Sequence, residues 1–326
     1  MKIKEVHKRT ALVLRARVNT ATDSNFLYMD PFLKAMEQLF NFKSPNKETD
    51  ISIINIGTFI SVRFVKEVLN ILTTNMFVQE DYRKEVRMKS EFFFERIILT
   101  SNKKNYSSKI IYQEGVLFDK PKYDIKGLTF NKSHVPKNTR DFFKKLLEEE
   151  FYNPKLNIAN VLNAIVRLQN NIRIALLSGS LSYAENKQYN AADQYKNPSQ
   201  MPVYRGASVW NYIYPSQPIL VGEKCSLYKT TLTDPKQLTE LHKESPDLAQ
   251  KLYDAVWKNE EISKYGMTYL AFPKSILSVP EWLIPFLDID AVIHSNVSPG
   301  MVLLESLGIY TYITKNKKYY TNIIRI

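Results

Sequence analysis

The sequence predicts an α+β protein built in two parts: strands and helices mixed over residues 1–125, then a mainly helical part with a small β-sheet over 126–326. Three observations carry this expectation. Apolar residues alternate in short runs near the N-terminus and again after Glu91, they recur at three- and four-residue spacing elsewhere, and short β-rich runs return late in the chain. With 326 residues, 44% hydrophobic and 24% charged, the chain can bury one large core or two smaller ones without a covalent staple.

Residues 11–18 and 25–29 read as the two strands of a hairpin, separated by the polar stretch 19–24. Pro31 opens a helix carrying Phe32, Leu33, Met36, Leu39 and Phe40. A second helix repeats the spacing at Val62, Val65, Val68, Leu69 and Leu72, with residues 44–50 as the loop between them. Phe92 to Leu99 and residues 106–112 are strands joined by a polar turn, and the Gly, Asp and Pro residues of 115–121 mark a break. Residues 139–151 and 157–172 are helical, the latter through Ile158, Val161, Leu162, Ile165, Leu168 and Ile172, and they begin a bundle with its own core. The polar run 185–200 reads as a long loop, and 204–214, 222–228 and 269–273 as late strands. Trp210, Tyr212 and Tyr214 then alternate on one strand face as core residues, with a base-stacking platform as the alternative.

Composition excludes several function classes. The apolar stretch from Phe92 to Leu99 is too short to span a bilayer, and residues 1–5 lack a signal-peptide core, so an intracellular protein with no membrane partner is expected. A lone cysteine, Cys225, cannot form an internal disulfide. His7, His134, His242 and His294 are not at metal-ligand spacing, so neither a zinc site nor a Cys/His nucleophile is supported.

Charge points toward a polyanion. The net charge is +12, and residues 81–146 hold 16 Lys/Arg against 8 Asp/Glu, so a fifth of the chain carries most of the excess. Tyr82, Phe92, Phe93, Phe94, Tyr106, Tyr112 and Tyr123 are interleaved with those cations, as on a surface that tracks a phosphate backbone.

Within this pattern, Thr22-Asp23-Ser24 sits where a hairpin turn would present one carboxylate. Downstream follow Lys103-Lys104-Asn105-Tyr106, Tyr112-Gln113-Glu114-Gly115, Lys126-Gly127-Leu128 and Lys132-Ser133-His134-Val135-Pro136. In this order the motifs resemble those of family B DNA polymerases: Asp-Thr-Asp-Ser, Lys-x-Tyr, and the Lys-Gly-Leu and Lys-Ser-x-x-Pro elements between palm and thumb. Pro202-Val-Tyr-Arg-Gly206, Val221-Gly-Glu-Lys224 and Tyr269-Leu-Ala-Phe-Pro273 look like the thumb of T-even-type bacteriophage polymerases, so the likeness runs from about Asn19 to Pro273.

The resemblance implies the C-terminal part of a palm over 1–125 and a thumb over 126–326. Asp23 matches the second aspartate of its motif and would bind catalytic Mg²⁺, with Thr22 and Ser24 shaping the turn. Lys104 and Tyr106 would hold the primer-template duplex near the growing end, and Lys126, Lys132 and Ser133 would contact its backbone toward the thumb. The family's first aspartate is replaced by Ala21, and nothing here resembles the other palm aspartate motif, the fingers lysine helix that binds the deoxynucleotide triphosphate, or the exonuclease domain. Asp23 alone cannot complete a two-metal site. An N-terminal polymerase subunit bearing exonuclease, fingers and the remaining palm is therefore the expected partner, in the host cytoplasm if the chain is phage-encoded. A sliding clamp remains open as a further partner, although Lys315 and its neighbours read as an edge strand rather than a clamp-binding tail. The alternative reading is a non-catalytic, polymerase-derived module that binds duplex DNA.

Overall fold

The computed structural model describes residues 17–20, 25–86, 89–100 and 104–309, with side chains from residue 27 onward. Ala21, Thr22, Asp23 and Ser24 lie outside the described residues, as does the stretch 315–318. The architecture is α+β, as expected. The chain divides into two compact units: Met1–Ile97 with Asn102–Asp124, and Ile98–Ser101 with Ile125–Ile326.

In the first unit, β1 (Arg17–Thr20) pairs antiparallel with β2 (Asn25–Leu27), and Thr20 lies opposite Asn25. Helix α1 (Asp30–Phe40) has Pro31 in its first turn, where a missing N–H costs nothing. Helix α2 (Lys47–Asn75) is 29 residues long and begins inside the segment expected to be loop. The reason is local: the Asn46 side chain accepts a hydrogen bond from the Thr49 N–H at 2.9 Å and caps the helix early. A short helix, α3 (Glu80–Arg83), follows.

The sheet order is β3 (Phe92–Leu99), β4 (Tyr106–Gln113), β5 (Val116–Lys126). The expected break at 115–121 is instead the start of an eleven-residue strand. Glu114 and Gly115 both take positive φ (47° and 94°), the geometry of a tight hairpin turn, and β5 is an edge strand, where Pro121 costs no ladder bond. Glu95 on β3 joins helix to sheet, since it receives both Lys47 of α2 and Lys109 of β4, the latter at 2.6 Å. Among the described residues of this unit, only Ile51, Ile54, Tyr106 and Ile110 are buried apolar side chains.

Among the described residues, the second unit holds all the other buried apolar side chains. Helix α4 (Lys137–Leu146) runs into a π-helical turn at Leu147–Phe151. Helix α5 (Ile158–Leu177), capped by Asn157, buries Val161, Ile165, Leu168, Ile172 and Leu176 along one stripe. Strand β6 (Glu185–Gln188) replaces the start of the expected long loop, because its backbone pairs with β7 (Lys224–Leu232) whatever its polar side chains are.

Helix α6 (Pro202–Ile213) stands where a strand was expected. The alternating aromatics misled: Trp210 is buried, Tyr212 is exposed, and Tyr214 caps the helix with its ring 4.4 Å from Trp210. Pro202 starts the helix, and Gly206 lets it approach the sheet, since a Cβ there would meet the Ala271 amide nitrogen at 2.8 Å. Helices α7 (Thr239–Glu244) and α8 (Pro246–Val256) follow. Strand β8 (Met267–Pro273) closes the sheet in the order β6-β7-β8, and α9 (Ile289–Val297) and α10 (Met301–Ser306) complete the core. Among the described residues no helix is long and apolar enough to cross a membrane.

Candidate nucleic-acid interface

The first unit places Lys104 and Tyr106 at the start of β4, in unequal settings. Lys104 is exposed on a turn with φ 63°. Tyr106 is only 8% exposed, its ring edge-on to Phe94 and its hydroxyl 3.4 Å from an Asp124 carboxylate oxygen. On edge strand β5, Lys120 and Lys122 share the face of Phe118, and the Lys122 ammonium sits 3.9 Å from the centre of the Phe118 ring. Sequence reading passed over this pair because Pro121 made the segment look like a break; the period-two spacing of the two lysines was the signal.

In the second unit the segment from Lys126 to Pro136 is anchored from within. Gly127 has φ 69°, which turns the chain out of β5. Leu128, Phe130 and Val135 are buried, and Phe130 packs on Phe143 at 5.2 Å between ring centres. Thr139, fully buried, donates to the Asn296 side-chain carbonyl, while the Asn296 amide donates to the carbonyls of Tyr183 and Val292. With those side chains fixed inward, Lys126, Lys132 and Ser133 remain exposed. The segment is a strap with its apolar teeth in the core and its cations in water.

Edge strand β6 lies along this strap. The Asn186 N–H donates to the His134 carbonyl at 2.9 Å. Burial first, then the charges of Lys187 and Lys132, lower the His134 pKa, with Glu185 pulling the other way. Lys274, just past β8, donates to the Asn186 side-chain oxygen at 2.6 Å and to the Ser226 hydroxyl at 2.7 Å. Its pKa is lowered by burial and by Lys224, with Cys225 opposing. Lys132 and Lys187 both act on His134, with Lys187 also paired to Glu185 at 3.2 Å, while Lys224 and Lys274 lie together on the other face of the β6-β7 ladder, where neutral acceptors hold Lys274. Sequence reading found Lys132 but missed the other three, because only the fold brings Lys187 to Lys132, and only the sheet register, Lys187 opposite Cys225 and Gln188 opposite Lys224, sorts the lysines onto its two faces.

Among the described residues no three His, Cys, Asp or Glu side chains are grouped as metal ligands. Asp23, on which the Mg²⁺ expectation rests, lies outside the described residues. Cys225 is buried, and burial raises its thiol pKa to about 11, which leaves it unreactive at neutral pH.

A search of curated proteins returns no match. The model of a protein family described as divergent family B DNA polymerase matches residues 4–322, nearly the whole chain. On that match, and with the order of motifs that the strap and strand β4 carry, the chain belongs to the divergent family B DNA polymerases.

Proposed function

We propose that the chain is the C-terminal part of a family B DNA polymerase that works with an N-terminal subunit bearing exonuclease, fingers and the remaining palm. A polymerase-related role follows from the family. The observation that most supports the finer reading is the strap: Lys132 and Ser133, motif residues, face solvent, and Lys132 acts with Lys187 on His134, an arrangement suited to a duplex backbone read without regard to sequence. In this reading residues 1–125 are palm and 126–326 thumb.

The reaction is attack of a primer 3′-hydroxyl on the α-phosphate of a deoxynucleotide triphosphate. Asp23 supplies one carboxylate toward Mg²⁺ and the partner supplies the others; bound Mg²⁺ would stabilise charge on the attacking and leaving oxygens. Lys104 faces solvent and would hold the primer strand, while the near-buried Tyr106 would fix the strand end from which Lys104 projects. A sliding clamp would add processivity from outside these contacts.

A second reading, a non-catalytic duplex-binding module, is favoured by Ala21, which stands where the family has its first aspartate. Primer extension with deoxynucleotides and Mg²⁺ separates the two. Extension only when the chain is mixed with the palm-bearing polypeptide, and lost with Asp23→Asn, supports the polymerase reading. Salt-sensitive duplex binding without extension in the mixture supports the module.

A further inference from the structure

Helix α2 is apolar around most of its circumference, yet only Ile51, Ile54 and Thr73 are buried along its 29 residues. A helix of that kind belongs inside a core. Ile56, Ile60, Phe64 and Ile71 fall within about 80° of one another on the helical wheel, and each is at least 60% exposed. Just past the helix end Phe77 is 93% exposed.

The turn that presents Phe77 is strained and firmly held. Phe77 has φ 56°, a conformation that bulky residues rarely adopt. The Val78 N–H donates to the Thr73 carbonyl at 3.0 Å, and Arg83 of α3 donates to the Val78 carbonyl at 2.7 Å and to the Thr74 hydroxyl at 2.8 Å. A strained backbone fixed by these three hydrogen bonds so as to aim a phenyl ring into solvent is a preformed knob.

We infer that this stripe and the Phe77 knob are the docking face for the polypeptide that carries the rest of the palm, an inference that rests on the proposed function. At roughly 200 Å² per fully exposed large apolar residue, the five side chains offer on the order of 700 Å². That exceeds the largest patch of an ordinary monomer, about 300–600 Å², and approaches one partner's share of a standard interface, about 800 Å². The face lies on the unit with the fewer buried apolar side chains among the described residues, and on the unit whose strands β1 and β2 flank Asp23 in sequence, so one partner can both cover the stripe and supply the missing carboxylates. A second copy of this chain would cover the stripe but bring only another lone Asp23. The occupant should therefore present an apolar surface with a pocket for Phe77.

The test uses the full chain with the polypeptide of the same genome that carries the remaining family B palm carboxylates, read by sedimentation and by primer extension. A 1:1 complex is expected; Phe64→Asp should weaken it roughly 100-fold. Phe77→Gly, which relieves the positive φ and cannot unfold the turn, should weaken it roughly 10-fold with no loss of the free chain's thermal stability. Asp23→Asn should keep the complex and lose extension. If Asp23→Asn loses extension while Phe64→Asp and Phe77→Gly leave the complex intact, the docking face is overturned and the function stands. If the two face variants break the complex but no mixture extends a primer, the face stands and the polymerase reading falls. The absence of any complex overturns the docking face. So does a discrete wild-type homodimer dissolved by Phe77→Gly, or a large drop in the free chain's stability with that variant, which would mean that another copy or the chain's own residues 310–326 cover the stripe.

Discussion

Helices α2 and α5 are both long and rich in branched apolar residues, and they meet opposite fates. Helix α5 buries one continuous stripe against α9 and the rest of its unit. Helix α2 buries Ile51, Ile54 and Thr73, leaves Val62, Val65 and Leu69 half-buried on the same side, and turns Ile56, Ile60, Phe64 and Ile71 outward. The difference lies in what surrounds each helix. In the second unit α5 packs against α4 and α9, whereas among the described residues of the first α2 meets the helices α1 and α3 and buries only Ile51, Ile54 and Thr73. A long apolar helix by itself does not mark a core; the partners within reach decide whether it becomes one.

The sharpest way to break this contrast is to cut into the second core. Phe143→Ala removes a ring in contact with Phe130 and Phe142, and should cost about 3–5 kcal/mol of unfolding free energy. All three tryptophans, Trp210, Trp257 and Trp282, lie in this unit, so their fluorescence in a denaturant titration reports its unfolding alone. Gly206→Ala should cost about 1–3 kcal/mol by the same readout, because the new methyl group meets β8 backbone rather than a movable side chain. Phe64→Ser on the outward stripe of α2 should change the stability of the isolated chain by no more than about 0.5 kcal/mol. A loss as large as that of Phe143→Ala would erase the distinction between the two helices.

The contrast extends to charge. Lys132→Ala and Lys187→Ala should each reduce the slope of log affinity against log salt for duplex DNA by about 1, without favouring any sequence. Loss of affinity at one sequence only would contradict backbone contact. A smaller effect is expected at His134. Its pKa is lowered in the fold by burial and by Lys187 and Lys132, so the unfolded chain binds the proton more readily. The stability it contributes is present above about pH 6.5 and is lost as pH falls through the lower folded value. His134→Gln should flatten that acid-side loss in thermal melts.

Much of this was legible in the residues. The three- and four-residue spacing located α1, α2 and α5, and period-two runs located β3, β4 and β8. Failures came where tertiary context outweighed local pattern. Tyr204 to Tyr214 alternates like a strand, yet Gly206 and Arg205 tie it to β8 as a helix, Arg205 donating to the Thr268 hydroxyl at 3.1 Å. Strand β6 is polar because its pairing is through backbone, which leaves no apolar signature. For α2 the spacing singled out Val62, Val65, Val68, Leu69 and Leu72; Val62, Val65 and Leu69 are half-buried on the side of Ile51, Ile54 and Thr73, whereas Val68 and Leu72 are exposed. The interface was half visible: the strap lysine Lys132 sits in a contiguous motif, whereas Lys187 joins it only because β6 lies along the strap.

The most direct test of the account is native-state hydrogen exchange of the chain alone, comparing amides of α2 with those of α5. The account predicts that α5 exchanges only through global opening of its unit, while α2 exchanges through openings several kcal/mol lower, and that adding the palm-bearing polypeptide raises protection in α2 and not in α5. Equal protection of the two helices in the isolated chain would contradict it.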